Sequence, residues 1–162
     1  MTLRQVLNIQ LKEPPMTFKL HPQLVQDSFY LADFKLCQVR LINDQRFYWL
    51  LLVPKIAEAT EVTDLSSADY QQLWQEVHFL SQVIKPLKQA DKLNLATLGN
   101  MVPQLHLHLI ARFTQDAAWP KPVWGVGKAE PYTLSTVQTL AAELQAACSQ
   151  ANPDFSISWQ KN

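Results

Sequence analysis

A strict alternation of polar and apolar residues from Gln104 to Ile110 constrains the fold of this chain more than any other feature. The segment reads Gln-Leu-His-Leu-His-Leu-Ile. In a β-strand successive side chains point to opposite faces, and residues two apart lie about 6.6 Å apart along the strand. The alternation therefore predicts a strand that buries its leucines in the core and carries Gln104, His106 and His108 in a row on the opposite face.

Metal binding is one chemical interpretation of the paired histidines. Two imidazoles in this arrangement can bind one zinc ion, but a structural zinc site needs four ligands and a catalytic site three. The remaining histidines, His21 and His78, lack ligand spacing, and no cysteine pair or carboxylate cluster adjoins the strand. We therefore expect that no metal or other cofactor is needed, and a histidine-based metal site stays as a third alternative.

Nucleophilic catalysis is the other chemical interpretation. A free imidazole has a pKa of about 6.5 and is largely neutral at cellular pH. A neutral imidazole held through one nitrogen presents a lone pair at the other and can attack phosphorus, while a protonated second histidine can neutralise phosphate charge or protonate the leaving group. The structural interpretation is a half-solvated strand face, although such positions more often carry Thr, Lys or Glu.

Composition and charge narrow the classes of partner. The 162 residues are 48% hydrophobic and 17% charged, which is typical of one globular unit. Fourteen Lys and Arg balance fourteen Asp and Glu, so the chain lacks the excess of basic residues typical of nucleic-acid binding. The three glycines fit neither a P-loop nor a dinucleotide-binding fingerprint, because Ala129 occupies the Ser/Thr position of the first and Glu130 the last glycine of the second.

The expected location is the cytoplasm, with no membrane partner. Cys37 and Cys148 form no CxxC pair, which suits a reducing compartment. The longest apolar run, Tyr48 to Val53, is far shorter than a membrane span. Residues 1–16 are predicted to be a loose leader, since Met16 can itself begin a chain, and residues 17–162 to form a single domain.

Periodicity predicts an α+β domain in which a long helix interrupts a meander of short strands. Ser66 followed by Asp69 predicts the start of that helix. The predicted strands are Phe34 to Ile42, Phe47 to Val53, Leu93 to Leu98, Pro103 to Phe113 and an edge strand at Phe155 to Trp159, and the predicted helices are Tyr70 to Leu87 and Leu134 to Ser149.

The segment from Gly99 to Arg112 resembles the defining motif of the histidine-triad (HIT) superfamily, which alternates three histidines with hydrophobic residues. Leu41-Ile42-Asn43, Trp49 to Lys55, a long helix and Leu93-Asn94-Leu95 stand before it in the family's order. The resemblance covers about 34–113 and leaves 114–162 as a C-terminal extension. It implies an antiparallel sheet with one long helix and a C-terminal helical extension.

The resemblance also implies nucleotide chemistry. Members are nucleotidyl hydrolases and transferases that act at the α-phosphate of phosphoramidates, dinucleoside polyphosphates or nucleotide sugars. By this match His106 is the nucleophile that forms a covalent nucleotidyl-histidine, and His108 contacts the phosphate. Gln104 holds the first-histidine position and is expected to orient the phosphate or the imidazole. The residues that the match places at the nucleotide are Asn43 at the ribose, Gly99 and Asn100 near the phosphates, and Asn94.

Two departures from the family pattern bear on activity. Gln104 replaces a titrating histidine, and Trp49 stands where many hydrolases of the family carry a fourth histidine. The sequence resembles a bacterial HIT-like branch that shares the glutamine and the Trp119 to Trp124 loop, whose tryptophans are predicted to pack rather than stack on a base. The alternative function is a non-catalytic nucleotide-binding protein. A homodimer is expected, because family members pair to continue the sheet.

Overall fold

The structure, a computed structural model, describes residues 17–160. The predicted leader, residues 1–16, lies outside this range. The elements of the described chain are α1 Pro22–Asp27, β1 Ser28–Phe34, β2 Cys37–Ile42, β3 Tyr48–Pro54, a 3-10 turn Val62–Asp64, α2 Ser67–Leu87, β4 Lys92–Thr97, β5 Leu107–Arg112, α3 Leu134–Ala151 and β6 Ile157–Trp159.

One antiparallel sheet of six strands, in the order β4-β5-β3-β2-β1-β6, organises the described chain. Its central strands bury one face against α2 and α3. Residues of this main core include Leu50, Leu52, Leu107 and Leu109 from the sheet, Leu73, Leu80 and Ile84 from α2, and Leu144 from α3. The α+β class, the long helix and the C-terminal helical extension are confirmed.

The predicted helix start at Ser66 is confirmed by its capping geometry. The Ser66 hydroxyl accepts a hydrogen bond from the backbone N–H of Asp69, as a residue before the first helical turn does. Pro86 lies in the last turn and the helix ends one residue later, at Leu87. The edge strand near the C-terminus is also confirmed, because β6 pairs only with β1. None of the helices of the described residues is long and apolar enough to cross a membrane.

The predicted first strand, Phe34 to Ile42, is wrong at its start, because the chain reverses direction between β1 and β2. No Gly, Pro, Asn or Asp stands at the bend, residues 35–36. Instead the fully buried carboxylate of Glu76 on α2 accepts hydrogen bonds from the backbone N–H of Leu36 at 2.7 Å and of Cys37 at 2.8 Å. At this bend a tertiary contact therefore satisfies the backbone N–H groups, as the side chains of turn residues do elsewhere.

The first helix, α1, is not among the helices predicted from the sequence. It begins at Pro22, and His21 caps it by accepting a hydrogen bond from the backbone N–H of Gln23 at Nδ1, 3.1 Å away. Its single buried residue, Leu24, packs on Leu51 and Val53 of β3. Six residues give too little periodicity to detect, yet α1 covers the face of the sheet opposite the main core.

Candidate active site

A cavity of about 360 Å³ opens on the sheet face opposite α2 and α3. It lies between β3, β5, the end of α1 and the segment 98–102. The residues that line it are mostly apolar, with two histidines among them: Leu24, Asp27, Ile42, Trp49, Leu51, Leu98, Asn100, Met101, Val102, His106, His108 and Trp124.

The alternation along residues 104–110 places the two histidines on one face as predicted, but the strand is shorter than expected. Leu107 and Leu109 lie in the main core, whereas His106 and His108 line the cavity with ring centroids 4.9 Å apart. The predicted strand Pro103 to Phe113 is wrong at its start, because β5 begins at Leu107. Gln104 and His106 therefore lie before the strand, and His108 lies within it.

His106 is oriented by the chain immediately before it. Its Nδ1 lies 2.6 Å from the backbone carbonyl oxygen of Gln104. A carbonyl oxygen only accepts, so Nδ1 carries the hydrogen and the lone pair of the neutral ring is at Nε2. The side chain is 5% exposed, so little water competes for that lone pair. This is the tautomer that a nucleophilic imidazole needs.

His108 has the opposite arrangement of its two ring nitrogens. The indole N–H of Trp49 donates to Nδ1 of His108 at 2.9 Å, so Nδ1 is an acceptor and the neutral ring carries its hydrogen at Nε2. Burial, and secondarily the neighbouring His106, lower the pKa of His108 to about 3. His108 is therefore neutral at cellular pH, and its Nε2–H is available to donate a hydrogen bond into the cavity.

The Trp119 to Trp124 loop contributes one of its tryptophans to the site. Trp124 meets Trp49 edge-on, with ring centroids 5.4 Å apart, and His108 in the same way at 5.1 Å. Trp119 instead lies over the guanidinium of Arg112, 5.8 Å from its ring centroid. Trp124 thus packs and lines the cavity at once, whereas Trp119 contacts a buried arginine away from the histidines.

The side-chain amide of Gln104 forms hydrogen bonds with the backbone of the segment before α1. Its Oε1 accepts from the backbone N–H of His21 and its Nε2 donates to the carbonyl of Lys19, both at 2.9 Å. The side chain lines a different cavity, together with Lys19, His21 and Pro103. The geometry thus joins Gln104 to His106 through the main-chain carbonyl, and a contact of its side chain with phosphate stays a prediction.

Of the four predicted nucleotide-binding residues, only Asn100 lines the histidine cavity. Asn43 accepts a hydrogen bond from the backbone N–H of Tyr132 at 2.8 Å. Asn94 accepts from the guanidinium of Arg112 at 2.6 Å. Gly99 is next to Asn100 but is not among the lining residues. The structure therefore brings together His106, His108 and Asn100, while the assignments of the other three residues stay predictions.

Sequence reasoning missed Asp27, the one residue with a charged side chain among the described residues that line the cavity. Its carboxylate accepts from Nε2 of Gln23 at 2.8 Å, and its backbone carbonyl accepts from the N–H of Asn43 at 2.9 Å. No local pattern marks Asp27, because α1 is what carries it to the cavity. Among residues 17–160, no group of three or more His, Cys, Asp or Glu side chains is arranged to hold a metal ion.

Comparison with known proteins gives the chain a family. A family model described as HIT domain matches residues 23–115. A histidine triad protein from Bradyrhizobium japonicum is 41% identical with a TM-score of 0.80, over 82% of this chain and 99% of that one. One from Marinobacter aquaeolei is 41% identical with a TM-score of 0.81, over 84% and 99%.

A more distant structure shares the fold alone. It is the diadenosine triphosphate hydrolase of Plasmodium falciparum in complex with cyclomarin A, which is 14% identical with a TM-score of 0.54 and covers 90% of each chain. No curated protein matches the sequence.

Proposed function

This chain belongs to the histidine triad (HIT) family, which includes nucleotide hydrolases and transferases, and we propose that it transfers a nucleotidyl group from an α-phosphate to water or another acceptor through a covalent intermediate on His106. One observation carries the proposal. The free lone pair of His106 and the N–H of His108 lie in one cavity, with the two rings 4.9 Å apart.

The proposed reaction has two displacement steps. Nε2 of His106 attacks the α-phosphorus, a P–N bond forms, and the bond to the leaving group breaks with its electron pair on that group. Water or an acceptor then attacks phosphorus, the P–N bond breaks with its electron pair on Nε2 of His106, and the proton of the attacking group passes to solvent. Since His108 is a neutral donor, its Nε2–H stabilises negative charge on a phosphoryl oxygen in both steps.

Covalent trapping distinguishes this enzyme from a non-catalytic nucleotide-binding protein. The purified chain would be mixed with nucleoside phosphoramidates, dinucleoside polyphosphates and nucleotide sugars, and quenched under basic conditions, since a phosphoramidate bond is acid-labile. We expect intact-mass spectrometry to show an adduct of one nucleoside monophosphate, mapped to His106, and free nucleotide to accumulate. Nucleotide binding without adduct or product from any of the panel would leave only the non-catalytic alternative.

Gln104 is proposed to act by holding the segment that orients His106, because its side-chain amide bonds to the backbone of His21 and Lys19. Gln104→Ala loses two hydrogen bonds, each worth about 0.5–1.5 kcal/mol, so we expect kcat/KM to fall about tenfold with the shape of its pH profile unchanged. Gln104→His adds an imidazole, so an additional ionisation is expected on the acid side.

Steady-state pH profiles of the wild type and both variants check this prediction. If both variants match the wild type in rate and in profile, Gln104 has no part in the reaction. If Gln104→Ala raises KM alone, Gln104 contacts the nucleotide directly and does not position His106.

A homodimer that continues the sheet across β4 is also proposed. β4 is an edge strand, and large apolar side chains are exposed on it and on α2, namely Leu95, Tyr70 and Trp74. We expect light scattering at micromolar concentration to give twice the chain mass, and Leu95→Lys to give monomers, because a lysine on an edge strand opposes pairing. Leu134→Lys, at an exposed leucine of α3, is the matched control. A wild-type chain of monomeric mass contradicts the proposal.

A further inference from the structure

The contact between Trp49 and His108 follows from the register of two neighbouring strands. Trp49 of β3 pairs with Ile110 of β5, and Leu51 pairs with His108. Trp49 and His108 are therefore diagonal neighbours on the same face of the sheet, close enough for long side chains to touch. Their rings lie 5.5 Å apart, and both side chains are buried.

Whether the residue at position 49 can only donate, or can also accept, a hydrogen bond decides which tautomers of His108 are compatible with the contact. An indole N–H donates and never accepts, whereas a histidine ring nitrogen does either, according to its protonation. A histidine at position 49 would thus be compatible with both tautomers of His108. Tryptophan is compatible with one, because a hydrogen on Nδ1 of His108 would face the indole hydrogen across the 2.9 Å separation.

We propose that Trp49 is a positioning residue that fixes His108 as the tautomer with its hydrogen on Nε2. In the reaction proposed above, on which this role rests, His108 then presents a permanent neutral donor to the transferred phosphoryl group. The proton that the leaving group needs comes from solvent. Position 49, where many hydrolases of the family carry a histidine, thus carries a tryptophan here, and its indole N–H opposes protonation of His108 at Nδ1.

The surroundings of His108 also favour its neutral form. The titratable groups that line the cavity with it are His106, from the same segment of chain, and Asp27, at the end of α1. Burial disfavours a charged ring and, secondarily, so does the neighbouring His106, so both lower the pKa of His108. The loop residue Trp124 adds a neutral ring edge.

The test is ¹⁵N NMR of the histidine rings in the full chain labelled with ¹⁵N, without nucleotide. Long-range ¹H–¹⁵N spectra distinguish a ring nitrogen that carries hydrogen from one that does not. In the wild type we expect His108 to show hydrogen on Nε2 and a bare Nδ1 from pH 5 to pH 8. Hydrogen on Nδ1, or titration within this range, overturns the proposal from the wild type alone.

Two variants separate the hydrogen bond from aromatic packing. Trp49→Phe keeps a ring but removes the donor, so we expect the ratio of the Nε2–H to the Nδ1–H tautomer to fall about 2- to 13-fold. Trp124→Phe keeps the Trp49 bond, and the ratio should not change. An unchanged ratio in Trp49→Phe, or an equal fall in Trp124→Phe, overturns the proposal.

A kinetic measurement connects the tautomer to turnover. We expect Trp49→Phe to lower kcat in proportion to the fall in the fraction of His108 that carries its hydrogen on Nε2, by at most the same 2- to 13-fold, while KM changes little, because only the Nε2–H form donates to phosphate. A fall in the fraction of the Nε2–H form without a matching fall in kcat shows that this tautomer does not serve the reaction. Failure of covalent trapping on His106 in the wild type, by contrast, defeats the proposed function and leaves the NMR result standing.

Discussion

Replacing His106 with alanine is expected to abolish nucleotidyl transfer while nucleotide binding is retained. The variant has no imidazole lone pair to attack phosphorus, so kcat should fall by roughly 10³-fold or more. Leu24, Leu51 and Val102, which line the same cavity, belong to an apolar cluster that does not include His106. Equilibrium binding of a product mononucleotide should therefore change by about tenfold or less.

Single-turnover assays and adduct mapping measure the first effect, and calorimetric titration measures the second. His78→Ala is the matched control, since His78 is exposed on α2 and should keep both turnover and adduct. Full activity in His106→Ala, or an adduct that persists on another residue, would eliminate His106 as the nucleophile. Loss of binding together with activity would mean that His106 mainly shapes the cavity.

Replacing Glu76 with alanine is expected to give the largest loss of stability. The variant leaves the backbone N–H groups of Leu36 and Cys37 without their acceptor in the interior. Each unsatisfied buried group costs about 1–3 kcal/mol, so the free energy of unfolding should fall by about 2–6 kcal/mol. The bend between β1 and β2 loses its two hydrogen bonds to Glu76, so these strands should also exchange amide hydrogens faster.

Urea unfolding with far-UV circular dichroism measures the change in stability, and hydrogen exchange locates it. Glu143→Ala is the matched control, because Glu143 forms a surface ion pair with Lys88 and such pairs contribute about 1 kcal/mol or less. Equal stability losses in the two variants would show that the bend forms without Glu76. A loss in Glu76→Ala spread evenly over the sheet would contradict a local role at the bend.

Local sequence patterns are sufficient to establish which side chains share a face and where the long helix begins. Both properties follow from local geometry: alternate residues of a strand point the same way, and a serine cap bonds to the backbone three residues later. For this reason the alternation alone groups His106 with His108 and assigns Leu107 and Leu109 to the core. The same rule wrongly places Gln104 in the strand, because alternation does not mark where a strand starts.

The bonding partner of each polar group, in contrast, depends on how distant segments pack together. Glu76 lies on a helix whose periodicity predicts burial of its apolar neighbours, but its partners are 39 and 40 residues away. Trp49 reaches His108 across a separation of 59 residues, and Gln104 reaches Lys19 across 85. Such contacts depend on strand register and on how a helix sits on the sheet, and neither leaves a periodic signal in the chain. The tautomers of the two histidines, and with them the division of roles, are therefore set by contacts that no local pattern contains.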